Sequence, residues 1–157
     1  HYSPGPGYDM IPSDIRDTAW LDRIPEKNAV IVMEGVSMYL SPDELHALLT
    51  TAKTLGYERV VAAFQPHTYT RTKALFEDFV VQLKKPDVVV LAEIYAARER
   101  NTVGVSSRDL LKQLSGGYYC ATLPEVTETL KKLAQPGDVI LTVGAGDIYR
   151  AGEAMLK

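Results

Sequence analysis

Three short segments of this chain set reactive side chains where an apolar run ends and a helix begins. The first is Gln65-Pro66-His67-Thr68-Tyr69-Thr70-Arg71-Thr72. A helix start offers free N–H groups and a partial positive charge. His67 and Arg71 add donors, and an arginine grips a carboxylate with two parallel bonds. The segment therefore reads either as an anion or carboxylate site or as a solvated helix start. The second is Val143-Gly144-Ala145-Gly146-Asp147, also at a strand-to-helix turn. Its glycines would let a ligand approach the backbone. Tyr149 stands where a dinucleotide fingerprint needs its third glycine, so a tightly packed turn is the simpler reading. The third is Glu34-Gly35, with Glu93 and Tyr95 at the same level one strand further along. Carboxylates gathered there would face a cation or an amine.

Several chemistries lack their residues altogether. There is no G-x-x-x-x-G-K-[ST] phosphate cradle, no Cys/His set with zinc spacing and no G-x-S-x-G elbow. His1 and His46 have no evident partners, and His46 reads as a surface residue of a helix. No catalytic residue and no metal ligand is assigned.

The elements that must position these segments follow from hydrophobic period. A weak first strand is expected over 10–15 and a short helix over 18–24. The continuous apolar run 29–34 reads as a strand buried on both faces. Ser41-Pro42-Asp43-Glu44 predicts a capping box and a helix to about residue 55, ended by Gly56. A strand over 60–64 precedes a helix capped by Thr70 or Thr72, with Leu75, Phe76, Phe79, Val80 and Leu83 on its apolar face. A buried strand over 88–94 leads to a loop over 98–105. Ser106 or Ser107 caps a helix to residue 114. Strand 118–121, helix 124–133, strand 139–143 and a last helix near Asp147 complete the chain. Strands joined by helical crossovers pair in parallel. The expected fold is thus α/β: one doubly wound, mainly parallel, six-stranded Rossmann-like sheet with helices on both faces. Ligands of such sheets bind beyond the carboxyl ends of the strands.

Composition bounds the partners. The 157 residues suit one domain spanning 1–157, with the Gly/Pro-rich residues 1–8 expected to lack order. A net charge of −3 argues against a nucleic-acid surface. No apolar run approaches the roughly 20 residues of a membrane helix, and nothing at the start reads as a signal peptide. The single cysteine, Cys120, excludes an internal disulfide, reads as inert core and suits the cytoplasm. A monomer or weak homodimer is expected.

The run from Arg59 to Thr72, with Ala62-Ala63-Phe64-Gln65-Pro66-His67 at its centre, resembles the C-terminal domain of the UDP-N-acetylmuramate–L-alanine ligases of the Mur ligase family. Glu93-Ile94-Tyr95-Ala96-Ala97-Arg98-Glu99, Gly104-Val105-Ser106-Ser107, Pro136-Gly137-Asp138 and Gly144-Ala145-Gly146-Asp147 agree in order. The resemblance covers about residues 49–157. It implies a Rossmann-like domain that closes over a separate ATPase domain in peptidoglycan synthesis. It also implies that His67 and Arg71 contact the carboxylate of L-alanine, with Thr68 where many members carry a second arginine.

Residues 9–48 resemble something else. Asp14-Ile15-Arg16-Asp17-Thr18-Ala19-Trp20-Leu21 and Val32-Met33-Glu34-Gly35-Val36-Ser37-Met38-Tyr39-Leu40 are similar to S-adenosylmethionine-dependent methyltransferases of the leucine carboxyl type. That resemblance implies vestigial cofactor positions at Asp14 and Glu34, without the glycine-rich first turn of that family. The resemblance changes within residues 44–53. The sequence therefore reads as a chimera, engineered or recombined, with no turnover and no cofactor of its own, although the parent families would use ATP with Mg²⁺ or S-adenosylmethionine. The alternatives are a ligase fragment that retains weak binding of an amino acid or small anion, and a methyltransferase.

Overall fold

The computed structural model describes residues 11, 13–14, 17–24, 29–32, 42–54, 56–144 and 146–156. A 3-10 helix, Thr18–Arg23, precedes β1 (Ala29–Val32), α1 (Pro42–Thr54) and β2 (Arg59–Gln65). Next come α2 (Tyr69–Ala74), α3 (Phe76–Leu83), β3 (Val88–Ala92), α4 (Ser107–Lys112) and β4 (Tyr118–Cys120). The chain ends with α5 (Leu123–Leu133), β5 (Asp138–Gly144) and α6 (Ile148–Glu153).

The strands form one parallel sheet in the order β1-β5-β2-β3-β4. Among the described residues it has five strands, where six were expected. Of the expected first strand, the described residues Ile11, Ser13 and Asp14 carry no strand. Local turn bonding wins there: Asp17 N–H donates to the Asp14 carbonyl, and the Asp17 carboxylate accepts from Ala19 N–H. The run at 29–34 was expected to be buried on both faces, yet β1 lies at the sheet's edge and Ala29, Val30 and Ile31 are half-buried. The last strand, β5, inserts between β1 and β2 and displaces β1 outward. An apolar run does not reveal this, because the pattern within one strand does not say which strands lie beside it.

Alternation along the strands divides the core into two layers. Val60 and Phe64 of β2, Val89 and Leu91 of β3, and Val139, Leu141 and Val143 of β5 meet Trp20, Val80, Leu83 and Leu110. Val61, Ala63, Val90, Ala92 and Ile140 face the other way, onto Cys120, Val126, Leu130, Ile148 and Ala151. The sheet is thus wound on both faces. Cys120 is buried, its Sγ 3.4 Å from Thr129 Oγ1, as expected of a packing residue.

Two helices break expectation. The single helix predicted after Thr70 is split at Leu75, whose φ of −104° and ψ of 19° leave the helical region. Phe79 still packs on Phe64, with ring centroids 5.1 Å apart. His46, read as unpartnered, accepts a hydrogen bond at Nδ1 from Lys85 Nζ and so links α1 to the end of α3. Ser41 and its capping box lie outside the described residues. Ser106 does cap α4: its Oγ accepts from Asp109 N–H, and the Asp109 carboxylate accepts from Ser106 N–H at 3.0 Å.

At the amino ends of the central strands, Arg59 and Asp138 are register partners. Arg59 Nε and Nη2 donate to the two Asp138 carboxylate oxygens at 2.8 and 2.7 Å, and Gln135 N–H donates to the same group at 2.8 Å. Burial pushes the Asp138 carboxyl up, but these donors and the Arg59 charge outweigh it and hold the group below its ordinary value.

Candidate functional site

The carboxyl ends of β2, β3 and β5 carry three loops that lock together. Beyond β2 the chain continues extended through Pro66 and pairs His67 with Tyr95 in an isolated parallel bridge. Tyr95 N–H donates to the Pro66 carbonyl at 2.9 Å, and Thr68 N–H donates to the Tyr95 carbonyl at 2.9 Å. The His67 and Tyr95 rings stack, 18° from parallel, with centroids 5.9 Å apart. The third loop closes on the same tyrosine. Gly146 has a φ of 73°, and a Cβ there would stand 2.5 Å from the Tyr95 ring. The glycine pair of 143–147 therefore serves close packing: Gly144 sits against the Gln65 backbone and Gly146 against Tyr95.

Thr68, Thr70 and Thr72 divide the work at the start of α2 differently from the sequence reading. Thr68 takes a φ of 53°, rare for a β-branched residue, and makes no side-chain cap. Its carbonyl accepts from both N–H and Oγ1 of buried Thr72. Neither Thr70 nor Thr72 caps the helix. The cap comes from Glu99, 29 residues away on the loop after β3: Thr70 N–H donates to Glu99 Oε2 at 2.9 Å and Thr70 Oγ1 to Oε1 at 2.5 Å. The Thr70 hydroxyl, then its N–H, hold the Glu99 carboxyl below its ordinary value against a smaller opposing effect of burial. Composition gave no hint of this residue's role. The signal available was its place on the loop after the strand neighbouring β2.

Glu93 is not available as a free carboxylate. Its Oε1 accepts from its own neighbour Ile94 N–H at 2.8 Å, which ends β3 short of residue 94, and its Oε2 accepts from Tyr119 OH at 2.6 Å. The bond to Glu93 and burial raise the Tyr119 phenol above its ordinary value, and Arg108 lies 3.8 Å over the Tyr119 ring. Asp14 lies in the turn before the 3-10 helix, while Glu34 is outside the described residues. His67, Thr68 and Arg71 are thus brought together on one segment, with Arg71 and His67 half-buried and Tyr95 exposed beside them. Among the described residues no group of three or more His, Cys, Asp or Glu could hold a metal, and no helix is long and apolar enough to cross a membrane. A cleft of ≈ 340 Å³ lined by Lys84, Asp87, Gly117 and Tyr118 opens at the amino ends of β3 and β4, away from this segment.

Fold and site together define a doubly wound α/β domain whose side-chain donors sit at the carboxyl ends of its central strands, the position where such sheets take small ligands. The sequence over residues 22–146 matches the family described as Mur ligase, glutamate ligase domain. The chain belongs to the Mur ligase family, as its C-terminal domain. It is 42% identical over 134 residues to the UDP-N-acetylmuramate–L-alanine ligase of Agathobacter rectalis, covering 83% of this chain and 29% of that protein. To the enzyme of the same name from Clostridium tetani it is 43% identical over 136 residues, with 83% and 29% covered. The crystal structure of the UDP-N-acetylmuramate-alanine ligase from Thermotoga maritima superposes with a TM-score of 0.59 at 30% identity, covering 84% of this chain and 27% of that one. The chain therefore spans less than a third of the length of these relatives. The family match runs unbroken through residues 44–53, where a change of family was expected. Neither a methyltransferase segment nor a splice finds support. The likeness at 32–40 rests on an apolar strand followed by an acid and a glycine, a pattern that many parallel sheets share.

Proposed function

We propose that this chain is the amino-acid-binding domain of a UDP-N-acetylmuramate–L-alanine ligase and serves peptidoglycan synthesis by presenting the incoming amino acid. Arg71 grips its carboxylate, His67 donates a further hydrogen bond, and Thr68 places the turn between them. This sequence has no G-x-x-x-x-G-K-[ST] cradle for the phosphates of ATP. The domain alone is accordingly without turnover, binds a small carboxylate weakly, and belongs in the cytoplasm with its nucleotide-linked substrate. The observation that carries the reading is the clamping of the His67–Arg71 segment onto Tyr95 at the carboxyl end of β2 in a chain whose relatives are named for joining L-alanine.

The test is a titration of the ¹⁵N-labelled chain with L-alanine. Amide shifts are expected to move at His67, Thr68 and Arg71, and Arg71→Ala should weaken binding by at least about tenfold, as loss of a charge-assisted pair implies. An unresponsive segment at saturating amino acid would remove the reading, as would ATP hydrolysis by this chain alone.

A further inference from the structure

Among the described residues two non-glycine residues take positive φ: Thr68 at 53° and Ala97 at 52°. One lies on the loop after β2 and the other on the loop after β3. Held backbone strain of this kind persists only where the surroundings over-determine it. Backbone bonds at Tyr95 join the two loops, and Glu99 adds a side-chain link between them. Its N–H donates to the Ala96 carbonyl at 2.9 Å, closing the turn through Ala97. Its carboxylate then crosses to the other loop and takes both the N–H and the hydroxyl of Thr70. Thr70 is the residue before Arg71, and the same loop pair is tied by Thr68 N–H to Tyr95. Helix α2 is six residues long and has no side-chain cap from its own N-cap residue. Thr72 bonds back to the Thr68 carbonyl, but among the described residues Glu99 is the side chain that takes the N–H of Thr70 in the first turn.

We propose that Glu99 is the positioning residue of the carboxylate site: by occupying the donors at the start of α2 it fixes residues 68–72, so that Arg71 and His67 meet the ligand as side chains. This rests on the reading of the site given above. It also revises the expectation that the N–H groups of this helix start would hold the ligand's carboxylate, because the chain's own carboxylate stands there. The ligand is left with side-chain donors, whose aim depends on Glu99 without any contact between Glu99 and the ligand.

The test has two arms on the labelled chain, with Glu99→Ala and Glu99→Gln. In the first, without ligand, hydrogen exchange of the Thr70 amide and the ring contacts between His67 and Tyr95 are measured. Glu99→Ala should speed Thr70 exchange by about fivefold or more, the change expected when a cap is lost. Glu99→Gln keeps an acceptor oxygen and should fall between alanine and the parent. Thr70 exchange unchanged in both variants would overturn the proposal whatever the ligand does. In the second arm L-alanine is titrated. Binding should weaken in Glu99→Ala and recover partly in Glu99→Gln, while exchange in β2 and β5 stays at the parent's rate. Parent-like affinity in Glu99→Ala would overturn the proposal, as would a loss of protection spread through the whole sheet, which marks a merely structural residue. Failure of the parent itself to bind L-alanine would remove the reading of the site, and the first arm would still decide whether Glu99 orders the loop.

Discussion

Gly144→Ala should be among the more damaging single-atom additions to this fold. Gly144 closes β5 in register with Gln65 of β2, with a φ of 142°. A Cβ built there would stand 2.2 Å from the Gln65 carbonyl oxygen, 2.8 Å from its nitrogen and 2.9 Å from its carbonyl carbon. All three atoms are backbone, in a ladder flanked by strands on both sides, so they cannot swing aside as a flexible side chain would. Holding an alanine in that backbone conformation costs about 1–3 kcal/mol. Forcing the strands apart costs about 1–3 kcal/mol more. A combined loss of roughly 2–6 kcal/mol compares with a whole-domain stability of about 5–15 kcal/mol. At about 2–4 °C per kcal/mol for a chain of this size, the thermal midpoint should fall by roughly 5–20 °C. The control is Gly116→Ala, where a Cβ meets nothing within 4 Å and φ is not positive. That change should move stability by no more than about 1 kcal/mol. Urea and thermal unfolding followed by circular dichroism compare the two. Gly144→Ala within about 0.5 kcal/mol of the parent would refute the claim of a backbone contact with no room for a side chain.

Two other predictions concern charge and capping. Asp138 has its pKa lowered in the fold relative to about 3.9 in the unfolded chain, so its contribution is present above about pH 4 and is lost as pH falls through the lower folded value. Asp138→Asn should flatten the acid limb of a stability-against-pH curve; the limb shrinks rather than vanishes, because Glu99 and Asp109 are also lowered and act with the same sign. An acid limb identical to the parent's would count against the Arg59–Asp138 pair as its source. Ser106→Ala removes the hydroxyl that accepts from Asp109 N–H and should cost about 1 kcal/mol, largely restored by Thr at the same position. A denaturant midpoint that does not move would show that α4 does not rely on its cap.

Much of this protein was legible from local chemistry. The alternation of apolar runs with helical periods located β2, β3 and β5 within a few residues, because strands buried on both faces leave apolar stretches; β4, a short edge strand, was placed by the Gly116-Gly117 turn before it. Ser106 was legible as a cap because the partner it needs, Asp109, lies three residues on. The segment His67–Arg71 stood out because donor-rich residues at a strand-to-helix turn are uncommon without a ligand or a turn to explain them. What local pattern could not supply is anything decided between strands. The insertion of β5 between β1 and β2 fixes which strand is the edge, and no residue of β1 encodes its neighbour. Glu99 caps a helix 29 residues away because the loops after β2 and β3 are brought side by side by strand pairing. Gly146 must be glycine because of a tyrosine ring on another loop. Periodicity is a property of one segment and its solvent, so sequence alone reports which faces of a segment are apolar. Which of them meet is decided by the strand order, and the candidate site lies where three loops from that order converge.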